Sequence, residues 1–264
     1  MSDPVSILLG IPCTQGGITE ACLHSILELE KHCRSRGWDL RIEARSDGLV
    51  TRTRNIFASH VVRTPEYTHL LMIDSDMGFA PTVVERLVRS GHGVVGACVP
   101  LREIRWNRVR SMLDQLPDLT AEELASLAHG YAVRFDLTQG ADRPYRPADG
   151  FLPATLVGGA LLLIRREALV RLTESDLVDS YNRGGPWSDW EPSGWTFFDP
   201  LVNPDDRNYL SEDYAFCHRW RALGETVWVD LLSRVTHHGM VAVDGSPATT
   251  LRAAQRVADQ QVAP

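Results

Sequence analysis

A chain of 264 residues, 44% hydrophobic and 23% charged, has the make-up of an ordinary globular protein and is long enough to bury a core without covalent staples. Its formal net charge of −7 excludes a global basic field that would draw it to nucleic acid or an acidic membrane, and leaves only local basic patches for such partners. The five cysteines, at 13, 22, 33, 98 and 217, are widely spaced with no CxxC, which predicts reduced thiols in a cytoplasmic protein.

Residues 5–11 form an apolar run stopped by Pro12 and followed by the turn-prone "CTQGG", which predicts a first strand. "SILLGIPC" is too short for a signal peptide, and the longest apolar stretch, "LVGGALLLI", falls well short of a membrane span. A helix follows over about 18–36, with Ile18, Cys22, Ile26 and Leu29 at roughly helical spacing and Gly37 as its stop. "WDLRIEA" (38–44) alternates as a second strand, and "TRTRNIFASHVVR" (51–63) is a second helix. "THLLMID" (68–74) is a third strand. Pro81 then opens the helix "PTVVERLVRSG", and "GVVGACVP" (93–100) is a fourth strand. Strands alternating with helices predict an α/β fold, a mostly parallel, Rossmann-like sheet flanked by helices.

In such sheets ligands gather beyond the carboxyl ends of the strands. Residues 12–17 and 74–76 both lie at such ends and are expected to face one crevice. Neither GxGxxG nor GxxxxGK occurs at the first turn, so a dinucleotide dehydrogenase or a P-loop NTPase has little support.

The second half is less regular. Thr120 with Glu123 is a capping-box signature for a helix over 120–128, and "YAVRFDL" (131–137) is strand-like before a polar loop. Residues 154–169 read as one strand, interrupted by Gly158 and Gly159, that runs into a helix; paired glycines there suggest close approach by a ligand or another backbone. A long loop over 180–208 carries Trp187, Trp190 and Trp195, placed either to stack on a sugar or to anchor the loop. Residues 211–224 form a helix capped by Ser211, "ETVWVDL" is the last strand, "VTHHG" ends it, and a tail begins near 246.

Three polar sites stand out. In "LLMIDSDMGF" a buried strand ends in Asp74 and Asp76, which either cap the next turn or clamp a divalent cation that neutralises a diphosphate. Alternation along an extended segment would point both to one side. Glu212 and Asp213 open a helix, where acids complement the macrodipole or serve as a general base. His237 and His238 follow the last strand, and one of them can complete a metal shell. "LREIRWNRVR" (101–110) sets four arginines around Trp106, as a nucleic-acid track, a diphosphate contact or a solvated face.

The ordered set of a strand ending in DxD, Gly-Gly before "LLLIRREAL", "SEDYAFCHRWRALG", "VWVD" and a terminal "HHG" resembles the GT-A class of nucleotide-sugar glycosyltransferases, family-2-like, over roughly residues 5–240. The resemblance implies a GT-A domain over 1–245, with a nucleotide-sugar half (1–100) and an acceptor half (101–245), then a tail over 246–264. It implies Mn²⁺ or Mg²⁺ held by Asp74, Asp76 and His237, with Asp76 the direct ligand and His238 the fallback. Asp213 would be the general base if the enzyme inverts, with Glu212 beside it. Pro12, Cys13, Thr14, Arg52, Arg54, Asn55, Asp74, Ser75, Gly158 and Gly159 would meet a UDP- or GDP-sugar. Arg102, Trp106 and Trp195 would meet an acceptor: a glycan, a lipid-linked sugar, a protein or a modified base in DNA. Two rivals remain. A nucleotidyltransferase would favour a basic first loop, and "IPCTQGG" has no Lys or Arg; a non-catalytic binding module would not need Asp213 together with Asp76 and His237.

Overall fold

A computed structural model describes residues 4–13, 16–136, 149–182, 193–240, 246–249, 251–252 and 255–256. Strand β1 (Ser6–Pro12) is followed by α1 (Glu20–Arg36), β2 (Asp39–Arg45), α2 (Val50–Arg63), β3 (His69–Ile73), β4 (Met77–Phe79), α3 (Pro81–Ser90) and β5 (Val94–Ala97). Then come α4 (Trp106–Gln115), α5 (Ala121–Leu127), β6 (Val133–Phe135), β7 (Phe151–Val157), β8 (Leu161–Arg165) and α6 (Arg166–Thr173). Short pairs β9 (Ser180–Tyr181) with β10 (Gly194–Trp195), and β11 (Leu201–Val202) with β12 (Tyr209–Leu210), precede α7 (Glu212–Ala222), β13 (Val227–Asp230) and β14 (Val235–His237).

Local chemistry sets the helix ends. The Thr19 hydroxyl accepts from the Cys22 N–H at 3.3 Å and so caps α1, and Gly37 ends that helix at φ 68°, a backbone region that favours glycine. Pro81 supplies the first turn of α3, where its missing N–H costs nothing. Thr120 and Glu123 close the capping box of α5.

The main sheet has the order β2-β1-β3-β8-β5-β13-β7-β6. Strands β2, β1, β3, β5 and β13 share one direction, and β8 runs against its neighbours β3 and β5. Strands β7 and β6 extend the far edge in antiparallel pairing. Residues 154–169 are therefore not one interrupted strand. Residues 158–160 are a link between β7 and β8, which occupy separate places in the sheet. The fourth strand is also shorter than its apolar run, because residues 98–100 leave the sheet.

Both faces of the sheet are covered. One core gathers Phe57 of α2, Leu169 of α6, Phe216 of α7, Phe197 and Phe198; the other gathers Ile7, Leu9 and Leu71 with Cys22 and Leu29 of α1 and Val84 of α3. This is why β3 is buried throughout and, after His69, apolar instead of alternating. All five cysteines are free thiols. Among the described residues no helix is long and apolar enough to cross a membrane.

Candidate active site

Strand β3 delivers Asp74, Ser75 and Asp76 to the carboxyl edge of the sheet, but not as an extended segment. The Met77 N–H donates to the Asp74 carbonyl at 3.2 Å, and Asp74 N–H donates to the Ala160 carbonyl at 3.0 Å. Thr19 clasps the same turn, its N–H and its hydroxyl both donating to the Ser75 carbonyl, at 2.9 and 3.2 Å. The turn sends the two carboxylates to different partners. The strand alternation that would set them side by side does not continue past Ile73.

Asp74 accepts from Arg54 Nη2 at 2.8 Å. Arg54 reaches it from α2, is only 3% exposed, and donates through Nη1 to the Gly159 carbonyl at 2.8 Å. Its Nε lies 3.6 Å from Glu212 Oε1, outside hydrogen-bond range, and is the one buried side-chain polar atom without a partner among the described residues. Gly159 is a packing requirement here, because a Cβ would collide with Arg54 Nη1. Gly158 is squeezed too, with a Cβ falling 2.9 Å from that of Ala132.

The Gly159 N–H donates to Asp213 Oδ2 at 3.0 Å. The other oxygen of Asp213 accepts from the Ser211 hydroxyl at 2.5 Å and from the Tyr214 N–H at 2.8 Å. Both oxygens of Asp213 thus brace the start of α7 against the 158–160 link. Glu212, beside it, keeps its carboxylate outside such a net. Burial, helped by the Asp213 charge, pushes the Glu212 carboxyl above its ordinary range, and Arg54 pulls the other way.

Asp76 belongs to a second cluster. Arg102 Nη1 donates to its Oδ2 at 3.0 Å, and His237 Nε2 stands 3.5 Å from its Oδ1. Burial alone would raise the Asp76 carboxyl, but the His237 hydrogen bond, with Arg102 behind it, holds it below the usual range. The Asp76 partnership raises the His237 ring, burial opposing it. His237 Nδ1 donates to the Pro100 carbonyl at 2.9 Å, which turns Nε2 toward Asp76. His238 anchors the same corner through its N–H, donated to the Asp76 carbonyl at 2.8 Å.

No group of three or more His, Cys, Asp or Glu side chains is placed to hold a metal among the described residues. Asp76 and His237 nonetheless suit one divalent cation in part, as a carboxylate and an oriented imidazole, with phosphate oxygens and water for the remaining positions. Asp74, expected beside them, pairs with Arg54 here. A cavity of about 720 Å³ opens beside this pair, lined in part by Arg102, His129, Tyr131, Leu232 and His237.

The remaining expected residues divide. Pro12 and Cys13 sit at the β1 exit, where the Cys13 N–H donates to the Arg45 carbonyl at 2.8 Å. Thr14, Trp187 and Trp190 lie outside the described residues. Arg52 pairs with Asp47, its Nε donating to Oδ2 at 2.6 Å. Asn55 is fully used by the 196–199 segment: Nδ2 donates to Asp199 at 2.7 Å, and Oδ1 accepts from the Phe198 N–H at 2.7 Å. Trp195 packs against α2, its backbone N–H donating to the Ser59 hydroxyl and its ring lying under the Arg63 guanidinium. Trp106 is 69% exposed at the start of α4. Arg102 stands on Asp76, a placement that the charge run in "LREIRWNRVR" did not reveal.

No family model matches the chain, and no curated protein matches it. The solved structures that overlap it loosely include three of differing kinds. A197 from STIV shares 13% identity at a TM-score of 0.45, over 92% of this chain and 99% of that one. GalNAc-T7 with UDP, GalNAc and Mn²⁺ shares 10% at 0.46, over 89% of this chain and 44% of that one. A proposed glucose-1-phosphate thymidylyltransferase from Bacillus anthracis, in complex with sucrose, shares 10% at 0.40, over 96% and 94%. At these identities and TM-scores the likenesses define neither a family nor an activity for this chain.

Proposed function

We propose that the chain is a metal-dependent glycosyltransferase of the GT-A kind, moving a sugar from a UDP- or GDP-sugar to an acceptor hydroxyl. The observation that carries this is the meeting, at the carboxyl edge of one sheet, of an oriented Asp76–His237 pair and an Asp74–Arg54–Glu212 cluster centred on a buried guanidinium. In this reading 1–100 is the nucleotide-sugar half, 101–245 the acceptor half and 246–264 a tail. Asp76 and His237 hold Mn²⁺ or Mg²⁺, which when bound supplies charge stabilisation for the departing nucleoside diphosphate. Pro12 and Cys13 border the nucleotide, and Gly158 and Gly159 border the sugar. Asp74 positions the donor through its fixed place on Arg54.

The acceptor hydroxyl attacks the anomeric carbon; the new C–O bond forms as the bond to the phosphate oxygen breaks, and the electron pair leaves with the diphosphate. The hydroxyl proton goes to a carboxylate at the start of α7. Asp213 was the expected base, but its oxygens are engaged by Gly159, Ser211 and Tyr214. Glu212 is the better-suited acceptor of that proton, since burial raises its carboxyl above the ordinary range and its oxygens are less engaged. Asp213 then acts as a positioning residue.

Of the four arginines in 101–110, Arg102 is paired with Asp76 and Arg105 with Glu103, so two remain outside ion pairs among the described residues. That favours a glycan, lipid-linked or protein acceptor over a modified base in DNA.

Calorimetry of UDP and GDP, with and without Mn²⁺, tests the donor site. One nucleotide should bind in a metal-dependent way and lose that binding in Asp76→Ala. Hydrolysis of the matching nucleotide sugar should be abolished in Glu212→Gln and retained in part in Asp213→Asn. Failure of every nucleoside diphosphate to bind would overturn the proposal. Pyrophosphate release from a nucleoside triphosphate and a sugar phosphate would place the chain with nucleotidyltransferases.

A further inference from the structure

We infer that α4 is a membrane-surface helix that seats this chain on a lipid bilayer bearing anionic headgroups. The inference goes beyond the activity proposed above.

A surface helix of a globular protein turns an apolar stripe toward the core. In α4 the stripe is present and the core does not cover it. At about 100° per residue, Trp106, Val109, Met112 and Leu113 fall within an arc of about 120°, and the C-cap Leu116 continues it one turn on. Asn107, Ser111, Asp114 and Gln115 occupy the opposite side. Yet no residue of α4 is buried. Val109 and Met112 are half-buried, whereas Ile104, Trp106, Leu113 and Leu116 are between 38% and 69% exposed.

Charge decides which partner suits the stripe. Arg108 and Arg110 border it on its two sides, both exposed and outside ion pairs among the described residues. Arginines so placed lay their stems along apolar surface and raise the guanidinium to the level of lipid phosphates. The nearby acids are engaged or turned away. Glu103 is held by Arg105, Glu122 by Arg234 and Glu123 by the Thr120 cap, while Asp114 lies on the polar side of α4 and Asp118 beyond its end. Leu23 and Leu27 of α1 are exposed as well. Glu20 and Glu30 stand one turn before and after them, so an anionic surface would repel that face.

The stripe is continuous with the cavity beside Asp76. Ile104 belongs to both: it is exposed just ahead of α4, and it lines the cavity of about 720 Å³ together with Leu101, Ala125, Leu232 and Val235. An apolar path therefore leads from the outer face of α4 to the corner where Arg102 meets Asp76. A chain seated through α4 opens that cavity toward the bilayer, and an acceptor carried on a lipid would enter from this side. The docking stands apart from the glycosyltransferase reading; only this last step rests on it.

The test is co-sedimentation of the full chain with vesicles of phosphatidylcholine, alone or mixed with phosphatidylglycerol. Binding should be about tenfold tighter or more to the anionic vesicles and should weaken as salt rises. Arg108→Gln with Arg110→Gln should lose most of that preference, and Leu113→Ser with Leu116→Ser should abolish binding. Lipids brominated in their acyl chains should quench tryptophan fluorescence in wild type and distinctly less in Trp106→Phe. Circular dichroism melts check that each variant folds. Equal binding to both kinds of vesicle, no binding to either, or binding that survives the leucine substitutions would overturn the inference. So would a dimer in analytical ultracentrifugation that the leucine substitutions dissociate while wild type ignores vesicles, since the stripe then belongs to a second copy. Failure of every nucleoside diphosphate to bind, read by calorimetry without vesicles, overturns the activity and leaves the docking standing.

Discussion

Replacing Arg54 by Met removes the positive charge and keeps most of the side-chain volume. Asp74 and Glu212 then face each other's field with no cation between them, and the Gly159 carbonyl loses its donor. Breaking a buried ion pair from one side costs about 3–5 kcal/mol. The partners here are 32% and 19% exposed, so water recovers part of that charge and the lower end of the range applies. The unsatisfied carbonyl adds about 1 kcal/mol, for a total of roughly 3–4 kcal/mol. For a chain of this size that is a fall in Tm of about 10 °C. Urea unfolding followed by circular dichroism measures it directly. A double-mutant cycle with Glu212→Gln should recover at least about 1 kcal/mol, because the second substitution removes a charge that the first had stranded. A loss below about 1 kcal/mol, or strict additivity in the cycle, would refute the account of Arg54 as the cation that holds the acids together.

Gly159→Ala should cost about 1–3 kcal/mol and weaken nucleotide binding in parallel, since the new methyl occupies the place of the Arg54 guanidinium; unchanged stability would mean that Arg54 is free to move. Asn55→Ala should cost about 2 kcal/mol by leaving the buried Phe198 N–H without an acceptor, and proteolysis should then cut near 196–199 faster than in wild type. His69, 8% exposed at the start of β3, has its ring pulled down to about 4 by burial, with Arg165 adding to the effect. Below the unfolded value of about 6.5 the unfolded chain takes up a proton that the native ring refuses, so stability rises with pH through this window. The contribution is complete above about pH 6.5 and is lost as pH falls toward 4, up to about 3 kcal/mol. Urea midpoints across that window should therefore shift less in His69→Asn than in wild type; equal shifts would show that another group carries the dependence.

The elements that local chemistry specifies were legible in the chain. Apolar runs mark β1 and β3, Gly37 and Pro81 mark helix boundaries, and Thr120 with Glu123 marks α5. The pairing of an acid with a strand exit was legible too, at Asp74 and Asp76. What each acid does there was not. Asp74 meets an arginine 20 residues before it, and Asp76 meets one 26 residues after it, and neither distance leaves a periodic trace. Asp213 and Glu212 look interchangeable at a helix start. They differ because a backbone N–H from the distant 158–160 link reaches one of them and not the other. That link hid as well, since an apolar run broken by two glycines looks the same whether it is one bent strand or two strands in separate places of a sheet. Hydrophobic period and capping act within a few residues, whereas the partner of a charge is chosen by which chain segments the packed sheet brings within 3 Å.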